Sequence, residues 1–169
     1  MASTELVDFL QLIDGELCPA SSGRWIESIN PATGVAWARI PQSDAVDVAA
    51  AVEAAANSFP AWWALPSLQR AAHLRAVADV IRVNGRELAE IETRDNGRVL
   101  NETLMGDIPA CEQMFHFFAG AADKVHGDTV QVGPHSFNFT RREPHGVVAV
   151  IIPWNAPLSL MSSKVGAAL

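Results

Sequence analysis

Apolar and polar positions change rhythm three times along this chain. From residue 10 to residue 41 the apolar side chains come in short bursts that end at turn residues. Leu10-Gln11-Leu12-Ile13 runs into Asp14-Gly15, Arg24 to Ile29 into Asn30-Pro31-Ala32-Thr33-Gly34, and Val35 to Ile40 into Pro41. Glycine accepts positive φ without a Cβ penalty, so an Asp-Gly pair between such bursts predicts a hairpin. The three segments together predict a small antiparallel sheet.

The spacing then becomes helical. Val48, Val52, Ala55 and Phe59 recur on one face until Pro60, behind Ser43 as the expected N-cap, with Asp44 and Asp47 favoured by the helix dipole. Pro66-Ser67 opens a second helix carrying Leu74, Val77, Ala78 and Ile81, closed by Asn84-Gly85. Leu88 and Ile91 mark a short helix up to Asp95-Asn96-Gly97. The longest stripe is Ile108, Cys111, Phe115, Phe118 and Ala122, ending near Gly127.

After Gly127 the period returns to two. Thr129 to Val132 and Phe137 to Arg142 flank Gly133-Pro134-His135-Ser136, which predicts a hairpin with a four-residue loop. A two-stranded ribbon is marginal alone, so it is expected to pair within the fold or with a partner subunit. Glu143-Pro144-His145-Gly146 turns the chain into the apolar run Val147–Ile152, read as a strand buried on both faces. Pro157 suits the first turn of a last helix with Leu158, Met161, Val165 and Leu169 on one face.

Composition narrows the function classes. With 49% hydrophobic and 18% charged residues over 169 positions, the sequence is of the globular kind. No apolar run reaches the ~18 residues of a membrane helix. Met1 to Asp8 lacks both a basic and an apolar region, so no secretory signal is read there. A net charge of −7 without any basic block argues against nucleic acid as a partner. Cys18 and Cys111 have no CxxC spacing and fit a reducing, cytoplasmic compartment. His73, His116, His126, His135 and His145 form no helical i, i+4 pair, so no metal site is expected.

Four groups compete for chemistry. Pro153-Trp154-Asn155-Ala156-Pro157 puts one carboxamide at the carboxyl end of the apolar strand, where open α/β sheets hold ligands. The flanking prolines fix φ on both sides of Asn155. Its amide is either a donor to a developing oxyanion or the N-cap of the last helix, and spacing alone leaves both readings open. Cys111 lies among core positions with no adjacent cation, which favours packing over nucleophilicity; Cys18, beside Pro19, has less support still. Asp95-Asn96-Gly97 reads as a turn before it reads as a cation site. Trp25 and Trp62-Trp63 read as plugs at a core edge. Neither a GxGxxG nor a P-loop pattern occurs.

These motifs in this order resemble the aldehyde dehydrogenase superfamily across nearly the whole chain. Val147-Val148-Ala149-Val150-Ile151-Ile152-Pro153-Trp154-Asn155-Ala156-Pro157-Leu158, with Lys164 and Gly166-Ala167-Ala168-Leu169, is similar to a signature stretch of that family. Ile13-Asp14-Gly15-Glu16, Asn30-Pro31-Ala32-Thr33-Gly34, Glu92-Thr93-Arg94-Asp95-Asn96-Gly97-Arg98 and Phe117-Phe118-Ala119-Gly120 add to the likeness. The resemblance implies an α/β fold, the incomplete N-terminal part of the aldehyde dehydrogenase fold. Its parts would be residues 1–126 of the NAD(P)-binding domain, an oligomerisation hairpin over 127–143, and the start of the nucleotide-binding sheet with its following helix over 144–169.

The resemblance further implies that Asn155 is the catalytic Asn holding the substrate oxygen. Ile151, Ile152, Pro153 and Trp154 would border NAD or NADP, Lys164 would lie near a proton path, and the hairpin would join homo-oligomers. Ala156 stands where an aromatic residue is common. The family's nucleophilic Cys and general-base Glu match no position here. The expectation is therefore the front part of an enzyme that oxidises an aldehyde to an acid through a cysteine thiohemiacetal, inactive by itself. The alternative is a catalytically dead subunit acting as an interaction partner.

Overall fold

The computed structural model describes residues 6–169, so Glu5 and the rest of the first five positions lie outside the described residues. The strand-rich start forms two small sheets. β2 (Gln11–Ile13) and β3 (Glu16–Cys18) make the expected hairpin, in the register Gln11↔Cys18, with Asp14 and Gly15 at φ 52° and 79°. β4 (Trp25–Asn30) pairs antiparallel with β5 (Val35–Pro41), Ile26 facing Ile40 and Asn30 facing Val35. The Asn30 side chain accepts the Ala32 N–H at 2.9 Å, an Asx turn that reverses the chain.

β1 (Val7–Asp8) adds a strand the sequence reading missed, and it runs parallel to β5. The sheet order is β1-β5-β4, so the expected antiparallel sheet of three segments is not formed: Gln11–Ile13 stays in its own hairpin, and β1 joins β5 and β4 in a mixed sheet. Two residues are too few to show alternation. The Asp8 carboxylate meets Arg39 at 2.7 Å at this edge.

α1 (Ala45–Ala64) begins one residue later than expected. Asp44, not Ser43, is its N-cap: Asp44 accepts from the Val46 N–H and Asp47 accepts from the Asp44 N–H, each at 2.9 Å, as a capping box. Ser43 is used elsewhere, donating to the Gln11 side chain at 2.6 Å. The helix also runs through Pro60 to Ala64 rather than stopping there. Proline removes one helical hydrogen bond, and the last turn is held instead by side chains: Trp62 Nε1 donates to the Leu169 carbonyl at 3.1 Å, and Arg70 covers the Trp63 ring. The predicted stripe on α1 stays out of the core, with Val48 and Val52 exposed.

The core lies among the later helices. α2 (Ser67–Val83), α3 (Gly85–Asn96) and α5 (Ile108–Ala121) bury Ala71, Leu74, Ala78, Ile81, Ala89, Ile108, Cys111, Phe115 and Ala119 in one cluster. Many of these are alanines, which lets the backbones approach closely. A short helical turn, α4 (Leu100–Glu102), and a π-helical segment over Thr103–Asp107 lead into α5. Neither was read from the sequence, because no apolar period marks them. α6 (Pro157–Ala168) lies on α5, with Leu158, Met161 and Val165 against the cluster as the spacing predicted; Leu169 is exposed.

Two expected strands differ. The ribbon pairs only β6 (Thr129–Val130) with β7 (Asn138–Phe139), in the register Thr129↔Phe139 and Val130↔Asn138, so its loop is longer than four residues. Val147–Ile152 forms no strand at all, and Val147, Val148 and Ile151 are exposed. A strand needs a hydrogen-bonded neighbour, and this segment pairs with none of the described strands.

Candidate active site

The Pro153–Pro157 turn leads into α6 at Pro157 and is held by the carboxyl end of α3, through which Ser28 of the β4–β5 sheet is linked to it. α3 ends at Gly97, which has φ 80° and lies so close to Pro31 that a Cβ would come within 2.7 Å of its ring. Only glycine satisfies both the left-handed backbone and the space. That sharp stop lets Asp95 and Asn96 face the turn. Asp95 accepts the Trp154 indole N–H at 3.0 Å, and Asn96 donates to the Trp154 carbonyl at 3.5 Å. Asn96 Oδ1 accepts the Arg98 N–H at 2.9 Å.

Asn155 is exposed at the tip of this turn. The N-cap of α6 is Ala156, and no side chain caps it by hydrogen bonding from that position, so the helix-cap reading of Asn155 does not hold. Glu92 is buried on α3, one turn before Asn96, whose side-chain N–H donates to its Oε1 at 3.5 Å, while its Oε2 has no hydrogen-bond partner. Burial, followed by the nearby Asp107 charge, holds the Glu92 carboxyl above the usual range.

Cys111 and Ser162 extend this buried polar layer, both almost wholly enclosed. Burial pushes the Cys111 thiol up to about 11, with Glu92 and Asp107 adding to the effect against a Ser162 hydrogen bond. A thiol so placed is a poor nucleophile. The packing reading of Cys111 is the one the geometry supports.

The other residues singled out in the sequence are spread around the turn. Ile151 is exposed to 88% and Trp154 to 60%, with Ile152 half-buried between them. Lys164 lies elsewhere, seven residues into α6 and roughly 10 Å of helical rise beyond Pro157. It lines an open cleft of about 890 Å³ together with Phe59, Trp62, Arg70, Arg142 and His145. Asn155 and Lys164 are thus not brought together within this chain. Sequence reasoning missed the roles of Glu92, Asp107 and Ser162, although Glu92 and Asn96 stand at i, i+4 on α3 and so share its face. Among the described residues, no cluster of His, Cys, Asp and Glu is arranged to hold a metal ion, and no helix is long and apolar enough to cross a membrane.

The sequence model described as "Aldehyde dehydrogenase family" matches residues 18–169. The chain belongs to the aldehyde dehydrogenase family. Its fold is likewise that of the N-terminal part of aldehyde dehydrogenase structures. A solved aldehyde dehydrogenase from Bacillus cereus, in complex with NAD+, superimposes with a TM-score of 0.92 at 37% identity, covering 95% of this chain and 33% of that one. PnpE in complex with nicotinamide adenine dinucleotide gives a TM-score of 0.91 at 38% identity, with 95% and 33% covered. Among curated relatives, the hydroxyisobutyraldehyde dehydrogenase of Mycolicibacterium austroafricanum is 41% identical over 162 residues, which are 95% of this chain and 32% of the relative. The aldehyde dehydrogenase family 2 member B4 of Arabidopsis thaliana, a mitochondrial protein by its name, is 37% identical over 160 residues. The chain spans about a third of the length of the curated relatives it matches.

Proposed function

We propose that this chain supplies the front part of an NAD(P)-dependent aldehyde dehydrogenase, with Asn155 as its catalytic amide. The observation that carries the reading is the exposed Asn155 at the tip of a turn gripped from α3, with no capping duty in α6. In that role the Asn155 side-chain N–H donates to the aldehyde oxygen and strengthens its bond as the oxygen gains negative charge. NAD or NADP, once bound, accepts the hydride from the aldehyde carbon. The residues that would border it are Ile151, Ile152, Pro153 and Trp154. The exposed Ile151 and Trp154 give it an apolar ledge, which suits a flat ring. Lys164 is assigned to proton movement at the far side of α6.

On this reading Cys111, buried and with its thiol pushed up to about 11, is not the nucleophile of the reaction, and Cys18 matches no catalytic position. The isolated chain is expected to be inactive. We assign residues 1–126 and 144–169 to the nucleotide-binding domain and 127–143 to a ribbon that joins identical subunits. The ribbon exposes Val130, Val132, Phe137 and Phe139, and this apolar edge favours docking onto another copy or onto a full-length subunit. Two free thiols fit a cytoplasmic protein.

The test is aldehyde-dependent reduction of NAD+ or NADP+ by the full-length protein that carries these residues. Asn155→Ala is expected to lower kcat by about 10²–10³, the usual cost of one oxyanion donor. An unchanged kcat overturns the assignment of Asn155.

A further inference from the structure

The two prolines of the Pro153–Pro157 turn fix φ only at their own positions. Trp154, Asn155 and Ala156 keep their freedom, and an amide that must meet one oxygen needs a tighter anchor. The structure holds that anchor one residue before Asn155. Trp154 Nε1 donates to Asp95 Oδ2 at 3.0 Å, while Asp95 Oδ1 accepts from Ser28 Oγ at 2.6 Å. Ser28 Oγ in turn accepts the Trp37 indole N–H at 2.9 Å. The Trp37 ring is itself held edge-on by Phe9, with centroids 5.9 Å apart, and lies under the Arg94 guanidinium. Four side chains from β4, β5, α3 and the turn thus form one line. Asn96 adds the backbone grip on the Trp154 carbonyl.

We propose that Asp95 is a positioning residue: by fixing Trp154 against the β4–β5 sheet, it sets where the Asn155 amide stands. The proposal rests on the catalytic reading of Asn155. A purely structural role for Asp95 predicts something different. Trp154 is 60% exposed, and a hydrogen bond at such a site adds little net stability because water competes for both partners. Its loss would hardly unfold the protein, whereas a displacement of about 1 Å at a catalytic group costs up to ~10² in rate.

The experiment is a double-mutant cycle in the full-length protein carrying these residues, read by steady-state kinetics and by the resonances of the Trp154 indole and the Asn155 amide. Asp95→Ala is expected to lower kcat about ten- to a hundredfold with KM nearly unchanged. Asp95→Asn keeps a carbonyl oxygen for the indole and restores most of the rate. Added to Asn155→Ala, Asp95→Ala costs little more, because it acts through the residue already removed. Wild-type kcat in Asp95→Ala, or a loss that adds in full to that of Asn155→Ala, overturns the proposal.

Should Asn155→Ala itself keep wild-type kcat, the catalytic reading fails, and the resonances then decide on Asp95. Movement of both signals in Asp95→Ala upholds its hold on the turn, and unmoved signals overturn it. If Asp95→Ala does not fold, Trp154→Phe removes the indole donor and keeps an aromatic ring, and the kinetic outcomes together with the Asn155 amide resonance then decide in the same way.

Discussion

Arg98 Nε lies 2.7 Å from Asp107 Oδ2, and the contact joins the loop after α3 to the π-helical segment before α5. The two atoms are close enough for strong charge attraction but too oblique for a hydrogen bond, and neither has another partner. Asp107 is almost buried, and its charge is felt at Glu92. Arg98 is therefore the cation that makes two enclosed acids tolerable. Replacing it by Met keeps much of its stem and removes the charge. Breaking a fully buried pair costs about 3–5 kcal/mol, but the Arg98 side chain is 31% exposed and solvent screens part of that. Arg98→Met is expected to destabilise by about 1–3 kcal/mol in urea unfolding, and Asp107→Asn in the same chain to recover part of the loss. No shift of the urea midpoint would show that the acids are neutral or solvated without Arg98.

Glu92 and Asp47 predict pH effects of opposite sign. The folded state raises the Glu92 pKa above its ordinary 4.5, chiefly through burial. Its contribution to stability is fully present below 4.5 and is lost as pH rises through the raised value. Glu92→Gln carries no such charge. The stability of this variant relative to wild type is expected to climb from about pH 4.5 upward and then level off. Thermal unfolding across a pH series measures it, and a variant that loses stability relative to wild type as pH rises would refute the direction.

Asp47 is depressed to about 2, first by the Asp44 N–H, then by the Ser21 N–H and the Gln11 amide. Its contribution is present above the ordinary 3.8 and disappears as pH falls through about 2. Asp47→Asn keeps one acceptor but loses the charge-assisted bonds that tie α1 to Gln11 of β2 and to Ser21 in the loop after β3. The variant is expected to be less stable than wild type at neutral pH, with the difference closing near pH 2. A constant difference over that range would mean that shape, not charge, holds the cap.

Local rules carried most of the helices and the first hairpin: Asp14-Gly15 is decided by nearby backbone, and Gly97 by its left-handed φ, although its closeness to Pro31 is a distant contact. They failed where distant chain decides. Ser43 is a good N-cap by type, yet Gln11 draws its hydroxyl away and Asp44 takes the position. Pro60 breaks a bond inside α1, but Trp62 and Trp63 find partners 107 and seven residues on, and the helix survives. The apolar run Val147–Ile152 has strand composition but no paired neighbour, so its strand does not form. At the candidate site, the sequence pointed to Asn155 and to the Asp95–Gly97 turn separately. That Asp95 holds Trp154 depends on a contact spanning 59 positions, which no local pattern encodes.

Gly166 shows how closely α6 approaches α5. A Cβ there would come 2.8 Å from Phe118 Cδ2 and 3.6 Å from Phe115 Cδ1. Two effects compete in Gly166→Ala. Alanine favours the helix by about 0.8–1 kcal/mol over glycine. Against it, the new methyl must push Phe118 out of its edge-on contact with Phe117, whose ring centroid is 5.1 Å away. Overpacking of this kind costs about 1–3 kcal/mol, so the clash is expected to win and the variant to unfold at lower urea. In a Phe118→Ala background the obstacle is gone and only the helical gain remains. There Gly166→Ala is expected to stabilise by up to ~1 kcal/mol, a reversal of sign between backgrounds. Equal destabilisation in both would place the constraint on the α6 backbone or on Phe115, and the close approach to Phe118 would not be what requires glycine.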